Sequence, residues 1–124
     1  MLKLILLDGG GLRRGECCVS ISGKFRRLLI FKEAYVEMRR YHGRDFGYVQ
    51  FWADSDHPDR FWIRPAARED GGSARIVLNP KNGTRTVSAA FLLKSLDWKA
   101  KGSVRYPLRW DSENDAAVVI TETR

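Results

Sequence analysis

The sequence predicts an α+β fold whose barrel-like β core is built from two pseudo-symmetric β-α-β-β units, with one short helix per half. Three observations carry this. The stretch Arg26–Met38 (RRLLIFKEAYVEM) is echoed at Arg85–Leu96 (RTVSAAFLLKSL), at a spacing of about 57 to 58 residues. Each copy opens on a basic residue and β-prone positions, Leu28 to Ile30 in the first and Val87 in the second, and then changes period. Ala34, Tyr35 and Met38 fall on one face of a helix, as do Phe91, Leu92 and Leu96, with Leu93 widening the stripe. Each helix is followed by a glycine-containing turn and two extended runs.

The elements follow in order. Leu2–Leu7 reads as a strand and Asp8–Gly11 as a flexible turn. Glu16–Ser22 is a second strand, and the turn at Gly23 and Lys24 leads into a third, Phe25–Ile30. Helix one covers Lys32–Tyr41, with Gly43 as the glycine that ends it. Tyr48–Ala53 and Arg60–Arg64 form an aromatic-rich hairpin around the turn-forming run Asp54–Asp59. Residues 65–73 read as a linker between halves 23–65 and 83–121 of a single domain spanning 1–124. Ala74–Leu78 and Thr84–Val87 make a hairpin around Asn79–Gly83, where Asn-Gly is a strong turn dipeptide. Ser88 is the expected N-cap of helix two, which runs to Asp97 or Trp98. Val104–Trp110 and Ala116–Thr121 form the last hairpin, and Pro107 marks the first of these as an edge or bulged strand. The expected shared core is Leu29, Tyr35, Met38, Val49, Ile63, Val87, Leu92, Leu96 and Val119.

Composition narrows the chemistry. At 124 residues and 44% hydrophobic content, the chain can bury one core without staples. No apolar run reaches the roughly 20 residues that span a bilayer, so no membrane partner is expected. Adjacent Cys17 and Cys18 point to opposite faces of a strand and read as reduced packing residues of a cytoplasmic protein. Asp54, Asp56, Asp59 and His57 crowd one turn, but the EF-hand glycine and terminal glutamate are missing, so no metal site is expected. Gly9–Gly11 lacks the Lys-Ser or Lys-Thr of a phosphate loop, and no nucleophile elbow or dinucleotide fingerprint occurs. Neither an enzyme nor a cofactor is expected.

Charge points outward. The formal net charge is +7, and Arg supplies 15 of the 22 basic residues. Arginine forks suit phosphates and guanine edges better than lysine point charges do. An Arg-rich surface can equally be simple solvation.

Arg27-Leu28-Leu29-Ile30-Phe31-Lys32-Glu33 resembles the AbrB-like, swapped-hairpin family of DNA-binding regulators. That family commonly has arginine, two or three β-branched residues, proline, lysine and glutamate, and Phe31 stands where proline is usual. Arg85-Thr86-Val87-Ser88 is the weaker match, with Ser88 at the proline position. Two units in one chain resemble the duplicated, MraZ-like arrangement. The loops Arg44-Asp45-Phe46-Gly47 and Lys101-Gly102-Ser103 only approximate the family's Gly-Asp. The resemblance implies transcription or partitioning regulation through duplex DNA, with Arg27 and Arg85 at the DNA-facing position and a homodimer as a further expectation. Arg26, Lys32, Arg39 and Arg40 complete the expected DNA-binding set. Two other readings stay open. One is a protein-interaction module, antitoxin-like or a subunit of a phage or mobile-element assembly. The other is a single-stranded nucleic-acid binder that stacks bases on Trp52, Trp62, Phe51, Phe61 and Tyr48. That cluster reads first as core, with Trp52 and Trp62 as cross-strand neighbours.

Overall fold

The computed structural model describes residues 17–121. The elements are β1 (Cys18–Ser22), β2 (Arg27–Ile30), α1 (Lys32–His42), β3 (Tyr48–Ala53), β4 (Arg60–Ala66), β5 (Ala74–Arg75), β6 (Val77–Leu78), β7 (Arg85–Ser88), α2 (Ala90–Ser95), β8 (Ser103–Asp111) and β9 (Ala116–Ile120). The strand expected at Leu2–Leu7 and the turn at Asp8–Gly11 lie outside the described residues. No described helix is long and apolar enough to cross a membrane.

All strands join one antiparallel sheet in the order β5-β3-β4-β9-β8-β1-β2-β7-β6. The two ends of that order are consecutive in the chain, parted only by Ile76, whose N–H donates to Gly47 O at 2.9 Å. One extended segment therefore borders both edges, and the sheet nearly closes into a barrel. Near-closure removes most of the unpaired edge that an open sheet of this width would present.

The middle of the order is β8, which corrects its expected place at an edge. Ser103–Pro107 pair with β1, and Leu108–Asp111 pair with β9. Successive N–H groups of a strand point to opposite neighbours. Leu108 N–H donates to Cys17 O at 3.1 Å, so the donor that Pro107 lacks falls on the β9 side. The β9 ladder stops at Leu108↔Val119, one residue short of the proline. A proline is tolerated centrally because the strand changes partner there.

Helix ends follow local chemistry. Gly43, at φ 91°, donates its N–H to Arg39 O at 2.8 Å and closes α1. Helix α2 is shorter than its pattern suggests. Asp97 turns left-handed at φ 52°. Asp97 N–H then meets Lys94 O at 3.1 Å and Trp98 N–H meets Leu93 O at 2.9 Å, a Schellman arrangement made without glycine. Ser88 is the last residue of β7 rather than an N-cap; Ala89 precedes α2 without a side-chain cap. Pro65 and Ala66 belong to β4, so the connection between halves begins at residue 67.

The core unites Val19 and Ile21 of β1, Leu28 and Ile30 of β2, and Ala34, Tyr35 and Met38 of α1. Val49, Phe61, Ile63, Val87, Leu92, Leu93 and Val119 join them. Leu29, expected inside, is only half-buried, and Leu96 packs at the margin. Phe91, expected on the apolar stripe of α2, is 87% exposed. Neither Cys17 nor Cys18 forms a disulfide.

Candidate nucleic-acid interface

Strands β2 and β7 pair with Arg27 opposite Ser88, Leu28 opposite Val87, Leu29 opposite Thr86 and Ile30 opposite Arg85. Residues directly opposite share a face. Leu28, Ile30 and Val87 are buried, so Arg85 belongs to the core-facing side, and Arg27, Leu29, Thr86 and Ser88 to the outer side. The side-chain contacts agree. Arg85 lies 3.7 Å over the Tyr35 ring and donates through Nη1 to Gly83 O. The two arginines expected to act as a pair therefore sit on opposite faces. The repeat aligns them in sequence, but the two strands bury positions of opposite parity, and a one-residue offset reverses a strand's faces.

The outer face gathers a different set. Arg26 occupies a left-handed turn position, φ 55°, and its Nη2 donates to Ala90 O at 3.2 Å. Arg27 is exposed beside Phe25, its guanidinium 5.7 Å from the ring, with Lys24 Nζ at 5.4 Å from the same ring. Both arginines line a depression of about 810 Å³ with Phe25, Arg75, Val77, Thr86 and Ser88. Across Thr86 lies a second depression of about 360 Å³, lined by Leu29, Lys32, Glu33, Asn79, Asn82, Thr84 and Arg105 among others. Register explains how Arg105 arrives: it pairs with Ser20, Ser20 with Leu29, and Leu29 with Thr86, a single row of outer positions.

Five cations, Arg26, Arg27, Lys32, Arg75 and Arg105, thus line two adjoining depressions that contain one carboxylate, Glu33. Arg75 and Arg105 were missed in the sequence because neither belongs to the strand-helix echo. The alternation of Arg105 with buried Tyr106 and exposed Pro107 was the available signal.

Arg39 and Arg40 are elsewhere. They occupy the last turn of α1, where cations offset the helix's negative end. Arg39 pairs with Asp45 at 3.3 Å and Arg40 with Glu37 at 3.7 Å. Neither lines the depressions of the outer face.

The aromatic hairpin divides by parity. Trp52 and Trp62 are cross-strand neighbours, as expected. Phe61 is fully buried and Phe51 packs against the core, whereas Trp52 is 50% exposed. The expectation that the whole cluster is core fails because Trp52 and Trp62 share the solvent-facing parity. Trp62 Nε1 donates to Asp111 Oδ2 at 2.9 Å, and Arg64 stands 5.2 Å from the Trp52 ring. The two tryptophans and Arg64 line a cavity of about 410 Å³. In the adjoining turn, hydrogen bonds from the Asp56 N–H and from His57 hold the Asp54 carboxyl below the ordinary carboxylate range. Comparison with protein-family models, characterised proteins and solved structures finds no match.

Proposed function

We propose that the chain binds nucleic acid, in the first instance duplex DNA, through the outer face of β2 and β7 and its flanks on β5 and β8. The observation that carries this reading is the convergence of five cations with a single carboxylate on one face. Arginines so arranged can grip phosphates with bidentate forks while a depression admits the backbone between them. A regulatory role of the AbrB-like kind is the proposal's second part. It is supported by the pairing of β2 with β7 and of β4 with β9, each antiparallel and each joining one half to the other. Such pairing suits two β-α-β-β units, 23–65 and 83–121, about a pseudo-twofold.

The test is residue-specific. Fluorescence anisotropy on a labelled duplex should show Arg27→Ala and Arg75→Ala each weakening binding, by about 1–3 kcal/mol where a base is read and less where only phosphate is touched. Arg39→Ala should leave affinity near wild type.

Exposed Trp52, flanked by Arg64, favours a second reading, single-strand binding by base stacking. It predicts that Trp52→Ala weakens binding to an unpaired oligonucleotide while duplex affinity stays unchanged. Absence of binding to either at low salt would redirect attention to a protein partner at exposed Phe25 and Phe91.

A further inference from the structure

The smaller depression of the outer face is walled mainly by hydrogen-bond donors, and we infer that it is a cradle for one phosphate group. This deepens the nucleic-acid reading and rests on it. The loop Asn79–Gly83 is a closed backbone turn: Asn79 N–H donates to Thr84 O at 2.8 Å and Gly83 N–H to Asn79 O at 2.9 Å. Within it both carboxamide oxygens accept a backbone N–H of the turn. Asn79 Oδ1 accepts the Lys81 N–H at 3.0 Å, and Asn82 Oδ1 accepts the Thr84 N–H at 2.9 Å. With each oxygen held by the turn, the NH₂ of each carboxamide remains as a donor for a ligand.

Lys32 completes the loop side of the wall. Gly83 sits at φ 75°, and a Cβ there would come within 3.1 Å of Lys32 Cγ and Cδ. Its absence lets the lysine stem lie against the turn. On the other side Arg105 rests 5.2 Å from the Phe31 ring. Thr84 and Thr86 add hydroxyls, and Glu33 contributes the single negative charge. Two cations, two amide donors and two hydroxyls around about 360 Å³ suit an oxyanion that carries a substituent, as a phosphate ester does.

Asn82→Asp tests this without disturbing the turn, because an aspartate oxygen still accepts the Thr84 N–H while the facing donor becomes an anion. Calorimetric titration with inorganic phosphate against a chloride control should show saturable binding by the wild-type chain. Asn82→Asp should weaken it at least tenfold with an unchanged melting temperature, and Lys32→Met should weaken it too. Duplexes with and without 5′-phosphates separate the sources: tighter binding of the phosphorylated ends identifies a terminal phosphate, and equal binding with an equal loss in Asn82→Asp identifies an internal one. Wild-type binding of phosphate no better than chloride, or an Asn82→Asp chain that binds phosphate like wild type, overturns the cradle. Phosphate binding without duplex binding would leave the cradle standing and remove the nucleic-acid reading. Duplex binding unaffected by Asn82→Asp would leave the nucleic-acid reading standing and remove the cradle from the duplex contact.

Discussion

Arg85 shows how a residue's chemistry depends on its place in a strand. Stacked at 3.7 Å on Tyr35 and bonded to Gly83 O, it braces α1 against the β7 turn. Arg85→Ala should lower stability by about 1–2 kcal/mol, as expected for a partly desolvated cation on an aromatic face, and should change duplex affinity little. Thermal melting beside anisotropy separates the two effects. Cys17 offers a pH test at the same scale. Burial, reinforced by the Glu37 carboxylate, pushes its thiol up from the ordinary 9.0 to about 11, and Sγ donates to Leu108 O at 3.2 Å. A raised value in the folded state means that the stabilisation is fully present below pH about 9 and is lost as pH rises through about 11. Denaturant titrations should show that decline, flattened in Cys17→Ala, and Cys17 should alkylate slowly at pH 8 in the folded chain.

The elements themselves were largely legible, and their faces were less so. Strand β3 has the bounds that its aromatic run and flanking turns imply, and the Gly43 stop of α1 was plain. What the sequence left ambiguous was parity. In β2 three consecutive apolar residues, Leu28, Leu29 and Ile30, carry no alternation, so nothing local says which of them faces inward; pairing with β1 and β7 decides it. The same ambiguity hid which face Arg85 and Trp52 take. In α2 the unbroken apolar run Ala90–Leu93 hid the helix phase, and its early end at Ser95, ahead of the left-handed Asp97, narrowed the buried stripe to Leu92 and Leu93. Parity gives a sharp contrast within one hairpin. Phe61→Ala should cost about 3–5 kcal/mol because it empties a core site. Trp52→Ala, on the outer side of the adjacent strand, should cost within about 1 kcal/mol. Chemical denaturation of the two variants measures this directly.

Across the whole molecule, near-closure of the sheet gives the five cations a common face. The segment carrying β5 and β6 bridges both edges of the sheet and brings Arg75 beside Arg26 and Arg27, although 48 positions of sequence separate Arg75 from Arg27. No local pattern announces that meeting, which depends on long-range pairing. Three of the six residues expected to contact DNA, Arg26, Arg27 and Lys32, lie on this face, and Arg75 and Arg105 join them. The remaining three serve α1 and its contact with the barrel. Under the proposed function this face, rather than the diffuse +7 charge, holds nucleic acid.

Its most direct test is the salt dependence of duplex binding for the wild type and for the combined Arg27→Ala, Arg75→Ala chain. With five cations engaged at about −0.9 each, log K should fall against log salt with a slope of about −4 to −5, roughly a 500-fold loss between 50 and 200 mM. Removing Arg27 and Arg75 should make the slope shallower by about two contacts, while Arg39→Ala and Arg40→Ala together leave it unchanged. Equal shallowing by both pairs would show that binding follows overall charge, and a salt-independent or undetectable affinity would contradict the account outright.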